Sequence, residues 1–165
     1  MNFRDLTEDD IEVRVQSVKQ NGLVLLLYKN ARVDMSILDE TVGAENWQRE
    51  HYECKGNLFC RVGIYSSTDI GGEWVWKSDC GTESNTEAQK GEASDSFKRA
   101  CFNWGIGREL YTSPFIWVGA DTCNIQNGKC YDKFEVEKIK IENKRIVGLA
   151  IKNTTTGKRC FVWQA

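Results

Sequence analysis

The sequence predicts an α+β fold of antiparallel strands with a long helix packed across one face. Three observations carry this. Both ends of the chain alternate apolar and charged residues with the two-residue period of a strand. The middle is rich in aromatic and β-branched residues and broken by turn signals. Two stretches carry helical patterning and stop at glycines. With 165 residues, 41% of them hydrophobic, a single proline and six tryptophans, there is apolar material for a real core. One domain spanning residues 1–165 is expected.

The elements follow in order. Ile11, Val13 and Val15 alternate with charged residues, and Asn21-Gly22 is a hairpin signal before "GLVLLLY". That apolar run is far too short to span a bilayer and reads as a buried strand. "NARVDMSILDETVG" reads as a short helix with Val33, Ile37 and Leu38 or Thr41 inward, stopped by Gly43. Turns at Lys55-Gly56-Asn57 and at Asp69 to Gly72 separate strands near residues 46–54, 58–66 and 73–80. Ser84 and Glu87 form the pattern of a capping box for the long helix, which Gly105 and Gly107 terminate. "YTSPFIWVG" is an extended or turn segment. Alternation then returns to the end of the chain, with turns at Asn143 and at Thr154 to Gly157, giving a C-terminal β-meander.

Seven cysteines at irregular spacing, with no C-x-x-C and His51 as the only histidine, fit reduced thiols better than disulfides or zinc. The acidic start "MNFRDLTEDD" is not a targeting peptide, so the protein is placed in a cytoplasm. A net charge of −2 means that any nucleic-acid site is a local basic surface on an acidic body. Tyr28, Trp47, Trp74, Trp76 and Trp117 read as core or interface.

The chemistry concentrates in "SDSFKRACFNWGIG", residues 94–107. On a helical wheel Ala93, Phe97, Ala100, Cys101 and Trp104 form the core stripe. Lys98 and Arg99 fall on the far side with Phe102 between them. The plain reading is a solvated face with an Asp95–Arg99 pair one turn apart. The functional reading is a track for phosphates, with an aromatic on which a base can stack. Lys90 and Arg108 are further cationic candidates.

"DSFKRACFNWG" (residues 95–105) resembles the D-G-L-K-R-A-L-R-x-F-G helix of the Rad52 family of single-strand annealing proteins. In the same order upstream, "SDCGTES", "VGAENW" and "ARVDMSILDETVG" are similar to that family's motifs. The hairpin before Arg32 also fits, giving the layout β-β-α-β-β-β-α. The resemblance covers about residues 11–110, and the chain looks most like the short phage and prophage members. It implies an annealing core at about residues 11–118 and a C-terminal extension at about 130–165. It also implies that Lys98, Arg99 and Arg32 contact single-stranded DNA. Further implications are assembly into a ring or helical filament, annealing of complementary strands without a nucleotide, and no catalytic residue, metal or cofactor. Partners would be the DNA strands, further copies of the chain and a host or phage single-strand binding protein, with no membrane. Phe102 stands where the family often has another arginine. The interval from Arg32 to Gly43 is one residue longer than in the family. The strands beyond about Asp121 match nothing in it.

Two other readings carry different chemistry. Glu92 and Asp95 lie on one helix flank and can be taken as metal ligands of a nuclease. Alternatively, Lys98 and Arg99 belong to a module that binds an acidic protein. No G-x-x-x-x-G-K-[ST] is present, and "GIGREL" follows a helix and lacks the third glycine of a dinucleotide site.

Overall fold

The computed structural model describes residues 1–83 and 87–165. The architecture is α+β, with two α-helices and two antiparallel sheets rather than one. The chain divides into two compact units, Met1–Arg4 with Ala31–Gly107 and Asp5–Asn30 with Arg108–Ala165.

In the first unit, α1 (Ala31–Val42) precedes a three-stranded sheet of β3 (Trp47–Cys54), β4 (Asn57–Thr68) and β5 (Gly71–Cys80), with β4 central. The loop between β3 and β4 is Lys55-Gly56, both at positive φ (52° and 77°), the geometry of a tight hairpin. α1 ends where Gly43 turns to φ 87°. Its inward face is Asp34, Ile37 and Leu38, so Asp34 takes the buried place expected of Val33, which is only half-buried. α2 (Ala88–Trp104) lies across the sheet and buries Ser96, Phe97, Ala100 and Cys101 against the inward side chains of β4, Cys60, Val62 and Ile64. Its C-terminus is closed by Gly105 in the left-handed region, φ 102°; Gly105 N–H donates to Phe102 O and Ile106 N–H to Cys101 O. Ser84, the expected cap, lies outside the described residues; Glu87 occupies the N-cap position.

The second unit is a six-stranded sheet in the order β6-β2-β1-β7-β8-β9. Its strands are β1 (Glu12–Lys19), β2 (Gly22–Tyr28), β6 (Ile116–Gly119), β7 (Phe134–Glu142), β8 (Arg145–Asn153) and β9 (Lys158–Gln164). The N-terminal hairpin and the C-terminal meander thus share one sheet, and "IWVG" adds a strand where an extended or turn segment was expected. "GLVLLLY" is buried on one face only: Leu23, Leu25 and Leu27 point inward while Leu26 is exposed. Gly22 opens this strand rather than the turn, and its missing side chain makes room for the Trp117 ring across the β2–β6 pair. β1 and β7 meet at a single rung, Glu12 opposite Glu135, whereas β7–β8 and β8–β9 pair along most of their length. A polar knot ties the loop before β7 to the turn after β8. Asp132 accepts hydrogen bonds from Asn124 N–H (2.9 Å), Asn124 Nδ2 (3.1 Å) and Asn153 Nδ2 (2.8 Å). Burial alone would raise Asp132, but these amide donors outweigh it and hold the carboxyl below its ordinary value.

Candidate nucleic-acid interface

α2 forms because its interior is built of good helix formers and its apolar stripe has a sheet to cover. Phe97 is fully buried, stacked on Trp47 at 6.0 Å and covered by the Arg49 guanidinium at 4.7 Å. Trp104 Nε1 donates to the Val62 carbonyl at 2.9 Å. His51 Nε2 lies 3.2 Å from the Ala93 carbonyl, so the lone histidine is a strut between β3 and the helix. These contacts fix the rotation of α2 on its sheet, and with it the direction of every outer side chain.

That rotation spreads the adjacent cations. Phe97 leans on Trp47 of β3, and Lys98, the next residue, is half-buried. Arg99 is exposed on the β5 side, where its Nε lies 3.5 Å from Asp79 Oδ1. The expected Asp95–Arg99 pair is therefore replaced. Asp95 Oδ2 instead accepts from Thr82 N–H (2.9 Å) and Thr82 Oγ1 (3.2 Å), anchoring the chain that leaves β5. Phe102 lies between the cations, half-buried. By helical order Phe102 falls between the Lys98 and Arg99 positions on the side of α2 away from its buried stripe.

Lys90 is exposed in the first turn of α2 and pairs with Glu87 at 3.3 Å. Arg32 is exposed in the first turn of α1, within the same unit. Arg108 is exposed and belongs to the second unit. The structure thus groups Arg32, Lys90, Lys98, Arg99 and Phe102 in one unit, and Arg108 apart from them.

Sequence reasoning missed two features here. Lys77 sits on the β5 edge beside Arg99, its Nζ 4.9 Å from the Trp104 ring centroid and 3.3 Å from the Asn103 carbonyl. Strand alternation carries the signal, since it puts Lys77 and Asp79 on the face that α2 covers. The other face of the sheet carries the second feature. Arg61 lies 4.3 Å over the Trp76 ring and is held by Glu50 through Nε (2.8 Å) and a terminal nitrogen (2.6 Å). Glu50, Tyr52, Arg61, Trp76 and Ser78 line a hollow of about 280 Å³. Gly63 permits this, because Trp76 lies flat over it and a Cβ there would come within 2.8 Å of the ring.

Both carboxylates of the nuclease reading are engaged in holding the fold, Glu92 Oε1 accepting Leu58 N–H at 3.1 Å and Asp95 accepting Thr82. All seven cysteines are free thiols. Burial pushes Cys60, Cys123 and Cys160 up to about 11, which keeps them protonated and poorly nucleophilic. No helix among the described residues is long and apolar enough to cross a membrane.

The family model of Rad52/22 double-strand break repair proteins matches residues 4–129. The chain belongs to the Rad52/22 family. Membership puts it among DNA-binding, self-associating proteins of recombination and repair that work by annealing rather than by enzymatic bond chemistry. No curated protein and no solved structure matches the chain. The Rad52/22 match takes in both helices, the three-stranded sheet and strands β1, β2 and β6, and it stops four residues before Lys133, the last residue ahead of β7.

Proposed function

We propose that this chain anneals complementary DNA strands in phage-type recombination, without a nucleotide. Single-stranded DNA runs along the outer face of α2, with Lys98 and Arg99 on its phosphates and Phe102 against a base or a neighbouring copy. Arg32 and Lys90 extend the contact, and Arg108 adds a weaker one. Copies assemble into a ring or helical filament, so a few cations per subunit sum to a long basic track. Phosphate neutralisation releases counterions and lowers the repulsion between strands, and base pairing then supplies the driving force. The proposed setting is the cytoplasm of a bacterial host, with a single-strand binding protein of host or phage as a further partner.

The observation that carries this reading is the adjacent pair Lys98 and Arg99, outside the buried stripe of a rigidly docked α2, in a chain of the Rad52/22 family. The test mixes purified protein with complementary oligonucleotides in the absence of ATP and follows duplex formation, with particle mass measured by light scattering. Accelerated annealing by a multimer, lost in the Lys98→Ala, Arg99→Ala double variant, is expected. A monomer that leaves the rate unchanged ends the proposal.

A further inference from the structure

The chain's charge is unevenly divided. Residues 133–165 hold eight lysines and arginines against three glutamates, net +5, while residues 1–132 hold fourteen against twenty-one, net −7. The basic segment is the meander β7–β8–β9, which lies beyond the family match. Its strands are in register so that Lys138, Ala150 and Val162 form one rung and Lys140, Gly148 and Gln164 the next on the same face. Small residues on the central strand between larger ones on both sides make a trough. These six residues, with Arg159 at one end and Glu8, line an open groove of about 570 Å³.

The cations of this trough are placed for a chain of phosphates. Lys138 and Lys140 are two residues apart on one strand, about 7 Å, a spacing an extended phosphodiester can follow. Arg159 is held by Glu137 at 2.7 Å through Nε alone, which leaves the terminal nitrogens of its fork for another acceptor. Glu137 is drawn below its ordinary value first by the Arg159 hydrogen bond and, more weakly, by the fields of Arg159, Lys152 and Lys138, so three cations surround this one carboxylate. Lys140 pairs with Glu142 at 2.9 Å, both exposed, a contact that a phosphate exchanges readily. Glu8 is occupied in accepting Ile139 N–H at 3.0 Å. Val162, 64% exposed, offers apolar surface beside the cations.

We infer that the open face of the meander is a second DNA-binding surface, which holds the backbone of a single strand separately from α2. The choice of DNA as the polyanion rests on the function proposed above; the charge and shape of the trough do not. The test titrates the full-length protein with one labelled oligonucleotide, then titrates the saturated complex with a second, non-complementary one, across a salt series. In a Lys138→Ala, Arg159→Ala variant, first-strand binding is expected to stay within about twofold of wild type, while capture of the second strand weakens about tenfold. The log–log salt slope of that second step should fall by about 1.4, two single-strand phosphate contacts at about 0.7 each. A Lys138→Arg, Arg159→Lys variant keeps the charges and should capture the second strand as wild type does. Circular dichroism confirms that each variant is folded.

An alanine variant with both steps unchanged overturns the inference, even if Lys98→Ala, Arg99→Ala abolishes the first step and so upholds the α2 site. The reverse pattern, first-strand binding untouched by the α2 changes and second-strand capture lost with the meander changes, upholds the trough and removes α2 from the proposed function. A charge-preserving variant that fails like the alanine variant also overturns it, because the trough would then act through shape and not through charge.

Discussion

On α2, two cations occupy neighbouring positions of one helix docked on its sheet, and Arg99 is aimed by Asp79. In residues 133–165, eight cations are spread over three strands and the segments beside them, and ion pairs engage three of them, Lys140, Lys144 and Arg159, at the surface. The helix carries three cations against two carboxylates, in a stretch (residues 1–132) that is acidic overall and holds the family match; the meander is basic and lies outside it. Charge count alone would choose the meander as the DNA site. Rigidity chooses α2, because a cation that aims at a defined place orients a strand, whereas a diffuse one mainly attracts it. Under the proposed function, the two regions would suit different tasks on the same polymer.

The comparison breaks most severely if α2 loses its seat. Phe97→Ala removes a fully buried ring stacked on Trp47 and should cost about 3–5 kcal/mol. Chemical denaturation would show it, with first-strand affinity lost even though both cations remain. A variant that binds normally would mean that the cations need no rigid platform.

The meander's counterpart is Asp132→Ala, which orphans the donors of Asn124 and Asn153 and should cost about 2–3 kcal/mol. The sign with pH is fixed. Asp132 is depressed in the folded state, so its contribution is complete above its ordinary unfolded pKa of 3.8 and is lost as pH falls through the lower folded value. Wild type should therefore lose stability below about pH 4 more steeply than Asp132→Asn does, as acid titration of thermal unfolding will reveal.

A smaller effect, about 1–3 kcal/mol, is expected for Gly63→Ala, whose methyl would displace the Trp76 ring from beneath Arg61. A shift in tryptophan emission reports it. DNA affinity should change little, since the Trp76 face lies on the side of the sheet away from α2. The smallest effects on stability are those of Lys98→Ala and Arg99→Ala, each within about 0.5 kcal/mol. Each should nonetheless reduce the salt slope of first-strand binding by about 0.7. Unequal slopes would identify the flank along which the strand runs.

Local rules account for what was legible. Gly43 and Gly105 stop their helices at positive φ, and the Asn143-Lys144 turn, at φ 51° and 60°, connects β7 to β8 as the polar break in the alternation implies. The core stripe of α2 also follows from periodicity, through Phe97, Ala100 and Cys101. What stayed hidden depends on partners distant in sequence. Arg99 has a suitable carboxylate four residues away, but Asp95 is claimed by Thr82, and the arginine turns to Asp79 instead. Asp34 reads as a surface residue of α1 because the periodicity of a short helix fixes its face only loosely. Above all, nothing local announces that β1 pairs with β7, more than a hundred residues later, through one rung.

That single rung bears on how freely the meander can vary. A module joined to its host by a long ladder cannot change without repacking the host. Here the ladder has one rung, Glu12 opposite Glu135, and side chains make the rest of the join: Glu8 accepts Ile139 N–H, Thr112 accepts Ile146 N–H and Asn153 donates to the Thr122 carbonyl. The boundary of the family match falls just before this seam. A sheet held this way can be recharged at its exposed positions with little disturbance to the pairing of β1 with β2.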